Sequence, residues 1–220
     1  MKSQNIDYRK HDQQVWEEEL DEFVPSRIFD AHIHLFARDL ISPEERDKST
    51  FMDSDFDLIK EWSSKLYPGR EVHYLVLGFP KIGTDVEAHN RMISQQVTID
   101  PKSRMNCLVT PSNSPEQIKQ AVNQLGFIGL KPYRLYSVTG DPIQCRIRDF
   151  LPESQLEVAN DLGLWVTMHL SRFHGCADDV NLQDLEDYTT KRYPRIKWIL
   201  AHCARSFTYW PIRQAIERLR

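Results

Sequence analysis

Four of the eight histidines in this 220-residue sequence close apolar runs: His32 and His34 in "RIFDAHIHLF", His169 in "LWVTMHL" and His202 in "WILAHC". Each run is short and rich in β-branched and aromatic residues, which predicts strands. In a strand, side chains repeat every two residues, so Asp30, His32 and His34 share one face while Phe29, Ala31, Ile33 and Leu35 share the other. Neutral imidazole suits zinc and other borderline divalent metals, and a catalytic zinc takes about three protein ligands with one position open. The other four histidines are scattered: His11 ahead of the first helix, His73 at the start of a strand, His89 inside a helix and His174 in a loop.

Other side chains with chemical potential fall in the same places. Lys131 ends a run in "GLKPYR", Tyr133 shares its parity, and Arg134 follows. Arg172 and His174 lie just after the His169 run in "SRFHG". Lysine and arginine at such positions suit a substrate carboxylate, which arginine grips in a bidentate fork. Asp30 stands two residues inward from His32, where it can orient an imidazole or satisfy a buried polar layer. Cys203 has the opposite parity to His202 and is expected to face the helices.

The elements that must position these groups alternate. Strand-like runs at Arg27–Leu35, Glu71–Phe79, Arg104–Thr110, Phe127–Tyr133, Gly163–Leu170 and Ile196–Cys203 are separated by amphipathic, helix-like stretches. Ser114-Pro115-Glu116 reads as a helix start, and the glycines of "NQLGF" and "NDLGL" read as C-terminal caps leading into the next strand. A further helix is expected over Asp12–Phe23 and another over Tyr209–Arg220. Strand and helix alternating in this way imply parallel strands with right-handed crossovers. An open doubly wound sheet and a (β/α)8 barrel both fit, but no glycine-rich phosphate loop follows the first strand. In parallel strands all C-terminal ends share one rim, so the four histidines converge there, and that rim is where barrels build active sites.

The combination of "FDAHIHLF", "GLKPYR", "TMHLSR" and "ILAHCARSF" resembles the metal-dependent amidohydrolase superfamily. It is most similar to the amidohydrolase-related branch of decarboxylases, lactonases and hydratases. The resemblance implies a TIM-like (β/α)8 barrel over residues 27–220 behind an N-terminal helical extension, residues 1–26. It implies a metal held by His32, His34 and His169, zinc before other divalent ions, with His202 as the catalytic residue beside it, binding a second metal or holding the catalytic water or substrate. Lys131, Tyr133, Arg134, Arg172 and His174 become the substrate-binding candidates, and the activity becomes hydrolysis or lyase chemistry on a small carboxylated, lactone or amide substrate. It also implies a metal-binding aspartate at the end of an eighth strand, whereas this sequence carries six βα units. The barrel is therefore expected to be incomplete, as a piece of a longer protein or as a short form. Two alternatives accompany this reading: a TatD-like nuclease, which also opens on H-x-H but prefers a glutamate where Lys131 stands, and a metal-binding form without activity.

Composition excludes several classes. A formal charge of -4 with no long basic run argues against a nucleic-acid partner. No apolar stretch approaches the length of a membrane span. Residues 1–23 are polar and lack the apolar centre of a signal peptide. The four cysteines form no C-x-x-C pair, so reduced thiols and a cytoplasmic location are expected. The expected partners are a small-molecule substrate and other copies of the chain, because unclosed sheet edges invite pairing.

Overall fold

The structure, a computed structural model, describes residues 9–48, 52–205 and 208–218. Six strands form one sheet: β1 (Arg27–His34), β2 (Glu71–Leu77), β3 (Arg104–Val109), β4 (Gly129–Pro132), β5 (Trp165–Met168) and β6 (Lys197–Leu200). Their order in space equals their order in sequence, and every pairing is parallel. The main crossover helices are α3 (Phe56–Leu66), α4 (Val86–Val97), α5 (Pro115–Leu125), α6 (Glu153–Leu162) and α7 (Asp179–Asp187). Ahead of the sheet, α1 (Lys10–Val15) runs on into a π-helical turn, and a single-turn α2 spans Pro43–Arg46. A last helix covers Tyr209–Arg218.

Local chemistry accounts for the helix ends. Asp55, Asp85 and Ser114 each accept a hydrogen bond from a first-turn backbone N–H of α3, α4 and α5. Gln117 closes a capping box with Ser114. Helices α5 and α6 end on Gly126 and Gly163, both at positive φ, the αL cap that the sequence predicts.

The sheet is strongly curled. A flat six-stranded sheet would hold its edge strands about 24 Å apart, at about 4.8 Å per strand. Yet the ring of His32, on edge strand β1, lies 4.8 Å from that of His202, just past edge strand β6. On the convex face, Tyr74, Val76, Cys107, Val109, Leu130, Val166 and Met168 pack under Ile93, Ile118, Leu156 and Leu182 of the helices. On the concave face, Asn106 of β3 donates across β4 to the Thr167 hydroxyl of β5 at 2.9 Å. The result is six units of a TIM-like barrel, open between β6 and β1.

That opening corrects several expectations. Strand parity sets Phe29 and Ala31 against helices, but Phe29 is 51% exposed and Ala31 is also exposed. That part of β1 is left largely open to solvent. His11 lies inside α1 rather than before it. Strand β6 stops at Leu200, so His202 and Cys203 lie beyond it and strand parity does not govern them. Cys203 is exposed.

Candidate active site

Strand β1 carries the first two imidazoles, and a bulge re-aims them. Asp30 pairs with Tyr74 and Ile33 with Val76, so β1 spends an extra residue between these points. The Asp30 carboxylate accepts the His32 backbone N–H at 3.0 Å and holds the bulge. Asp30 therefore positions the backbone of His32 rather than its ring. Bulges commonly re-aim side chains beside active sites. Here the Nε2 atoms of His32 and His34 come within 3.2 Å.

The backbone defines the tautomers. A carbonyl only accepts, so His34 Nδ1–H donates to Leu77 O at 3.1 Å and His169 Nδ1–H donates to Leu170 O at 3.3 Å. In both rings this leaves Nε2 as the lone-pair nitrogen, the arrangement usual in metal-binding histidines. His202 completes an arc: its ring is 4.8 Å from that of His32 and 5.0 Å from that of His169, and the His32 and His34 rings are 5.0 Å apart.

His202 reaches the arc through unusual backbone. His202, Cys203, Ala204 and Arg205 all have φ between 49° and 58°, a left-handed turn without glycine. Such a conformation costs about 1–2 kcal/mol per residue, and strain of this kind concentrates at functional sites.

Lys131 lies beneath the arc. It is fully buried, and its Nζ has no hydrogen-bond partner among the described residues. It sits 4.7 Å from the centre of the Tyr133 ring. Burial lowers the Lys131 pKa to about 7. Burial, then the Lys131 charge, lowers His32 to about 4, and burial with the neighbouring His32 lowers His34 to about 3. His169 falls to about 4 through burial, Lys131 and Arg134. His202 is lowered by burial, Lys131 and Arg205. All four imidazoles are thus neutral at pH 7.

The other candidates divide. The Tyr133 ring lies 6.2 Å from that of His169, but its hydroxyl donates to Gly78 O at 2.9 Å, so the residue offers the site a ring face. Arg134 begins the turn after Tyr133 and donates to Pro142 O at 2.7 Å. Arg172 is held by Asp178 at 2.7 Å and by Gln144 O at 2.9 Å. His174 is exposed and packs on Phe173, away from the arc. Sequence reasoning missed Arg205. Its side chain donates to Leu170 O at 3.1 Å, directly beside His169. The only sequence signal is its place three residues after His202, and "HCAR" carries no glycine to announce the left-handed turn.

The chain matches the amidohydrolase family over residues 29–220. It belongs to that family. Among solved structures, the amidohydrolase chain is similar to the 5-carboxyvanillate decarboxylase LigW from Sphingomonas paucimobilis, with a TM-score of 0.51 at 15% identity. The match covers 79% of this chain and 67% of that one, and at this identity it shows the shared fold. No curated protein sequence matches the chain.

Amidohydrolases of this kind generally use divalent metals. The donor chemistry here fits such an ion: neutral imidazoles, two with Nδ1 tied to a backbone carbonyl, and a close Nε2 pair. As the side chains stand, no three His, Cys, Asp or Glu groups among the described residues are gathered tightly enough to hold one. His32 and His34 supply a converged pair, and His169 lies beyond His202 along the arc.

Proposed function

We propose that this amidohydrolase is a metal-dependent hydrolase or lyase acting on a small carboxylated, lactone or amide substrate. The observation that carries this reading is the arc of four neutral imidazoles beside a buried lysine whose Nζ has no hydrogen-bond partner among the described residues. His32, His34 and His169 would hold the metal, and zinc matches their nitrogen donors best. When bound, a divalent ion supplies a Lewis acid that polarises a substrate oxygen.

The rest of the chemistry belongs to the chain. Lys131, in its protonated form, would bind a substrate carboxylate. The Tyr133 ring forms one wall. Phe79, whose ring lies 5.5 Å from that of His34, forms another. His202 is the most exposed of the four histidines and is free of a strand ladder, so it can take a proton from the reacting group and return it. The decarboxylase chemistry named for the LigW neighbour favours carboxylated compounds among the candidate substrates.

The test pairs metal content with turnover. Elemental analysis of purified protein should find about one zinc per chain, and His32→Ala/His34→Ala should lose it. His202→Ala should keep the metal and lose about 10²–10⁴ in rate on a carboxylated or lactone substrate. Full metal occupancy in the double variant would sink the assignment. Loss of metal in step with activity in His202→Ala would make His202 a ligand instead.

A further inference from the structure

We propose that Arg205 is a positioning residue for His202: its side chain clips the left-handed turn that carries His202 onto the exit of β5. This rests on the proposed function and deepens it, because it names what holds the proton-transfer histidine against the other imidazoles.

The turn does not hold itself. His202, Cys203, Ala204 and Arg205 stand at φ 57°, 49°, 57° and 58°. Residues with a Cβ disfavour this backbone and visit it singly, so four in succession need support from outside the segment. The Arg205 side chain reaches that support. Its Nη1 donates to Leu170 O at 3.1 Å and to Arg172 O at 3.4 Å, both past the end of β5. The Leu170 carbonyl also accepts His169 Nδ1–H at 3.3 Å. One oxygen thus fixes both the ring of His169 and the turn that carries His202, and the two rings lie 5.0 Å apart.

The loop after β5 is shaped to receive the clip. Gly175 lies against the turn at φ +53°, where a Cβ would fall 2.8 Å from Arg205 Cβ and 2.9 Å from the carbonyl oxygens of Ala204 and Arg205. A side chain there would push the turn away. Asn181 pins the loop: its Nδ2 donates to Ser171 O at 2.9 Å and to Gly175 O at 2.8 Å. The Ser171 hydroxyl donates to Cys145 O at 2.7 Å. Ser171 and Asn181 are fully buried, and buried hydrogen bonds of this kind rigidify the segment they hold. The backbone around Leu170 and Arg172 is therefore a firm seat for the Arg205 guanidinium.

Nuclear Overhauser contacts between imidazole protons, in the full chain with isotope-labelled histidine, test the clip. The wild type should show contacts from His202 to His32 and His169, whose rings are 4.8 Å and 5.0 Å away, and a contact between His32 and His34. Arg205→Met keeps an aliphatic stem and removes the donors. It should lose both His202 contacts and keep the one between His32 and His34. Gly175→Ala should do the same by displacing the turn. Arg205→Lys retains a donor and should recover part of the His202 contacts, which separates a lost clip from a folding defect. Kinetics give a second readout. Arg205→Met should lower kcat on a carboxylated or lactone substrate by about 10²-fold, the scale of a misplacement of about 1 Å, with KM and zinc content unchanged. His202 contacts that are absent from the wild type, or intact in both Arg205→Met and Gly175→Ala, overturn the proposal. Loss of the His32–His34 contact in both variants also overturns it, because Arg205 would then support the whole site rather than His202. Lost His202 contacts with kcat unchanged would leave the clip standing and remove His202 from the reaction. The same contacts in a wild type that turns over no such substrate would leave the clip standing and remove the proposed activity.

Discussion

Lys131 sets stability against function in one side chain. Its fully buried amine has no hydrogen-bond partner among the described residues and so costs stability, because desolvation of a polar group is not repaid. The chain keeps it under the histidine arc, where a cation can meet a substrate anion. Lys131→Met retains the aliphatic stem and removes the amine. The variant should therefore gain about 1–3 kcal/mol at pH 7, the cost of one unsatisfied buried polar group. Its activity on a carboxylated substrate should fall. Denaturant unfolding of both proteins measures the first, and a loss of stability would mean that the amine is satisfied in solution.

Two elements carry predictions of their own. In α4, His89 is 1% exposed and its Nε2 accepts the Phe79 N–H at 3.1 Å. Burial lowers its pKa to about 4. A histidine whose folded pKa is depressed has no effect above the unfolded value of about 6.5, where both states are neutral. Between pH 6.5 and 4 the unfolded chain binds the proton first, so stability falls as pH falls. The loss reaches about 3 kcal/mol at about 1.36 kcal/mol per pH unit. His89→Gln can still accept from Phe79 and should show a shallower decline between about pH 7 and 4.5 in thermal melts. Parallel curves would rule His89 out as the source. In the turn after β6, Cys203 is exposed at φ 49°. Glycine tolerates that backbone without the side-chain penalty, so Cys203→Gly should stabilise the protein by about 1 kcal/mol. A destabilised Cys203→Gly protein would show that the turn is right-handed in solution.

The whole molecule is governed by its two open edges. Among the described residues, β1 pairs only with β2 and β6 only with β5, and Phe29 of β1 is 51% exposed. Unpaired backbone at a sheet edge is a template for association. The 220-residue chain is expected to self-associate, or to melt early if kept dilute. Light scattering with a concentration series of melts distinguishes these from a sharply melting monomer, which would count against both.

The order of elements is legible in the sequence alone, because strand and helix periods differ and the caps at Ser114, Gly126 and Gly163 are local chemistry. The convergence of His32, His34, His169 and His202 is legible for a related reason: parallel strands put all their C-terminal ends on one rim. Strand parity does not foresee the bulge at Asp30, which depends on register against β2. Nor does it foresee the left-handed turn after Leu200, which depends on Gly175 making room for it. Those two features decide where His32, His202 and Arg205 point. Both are made by contacts between segments far apart in the chain, Asp30 against Tyr74 and Gly175 against Arg205. A local pattern holds no record of such contacts, and only the folded sheet brings the partners together.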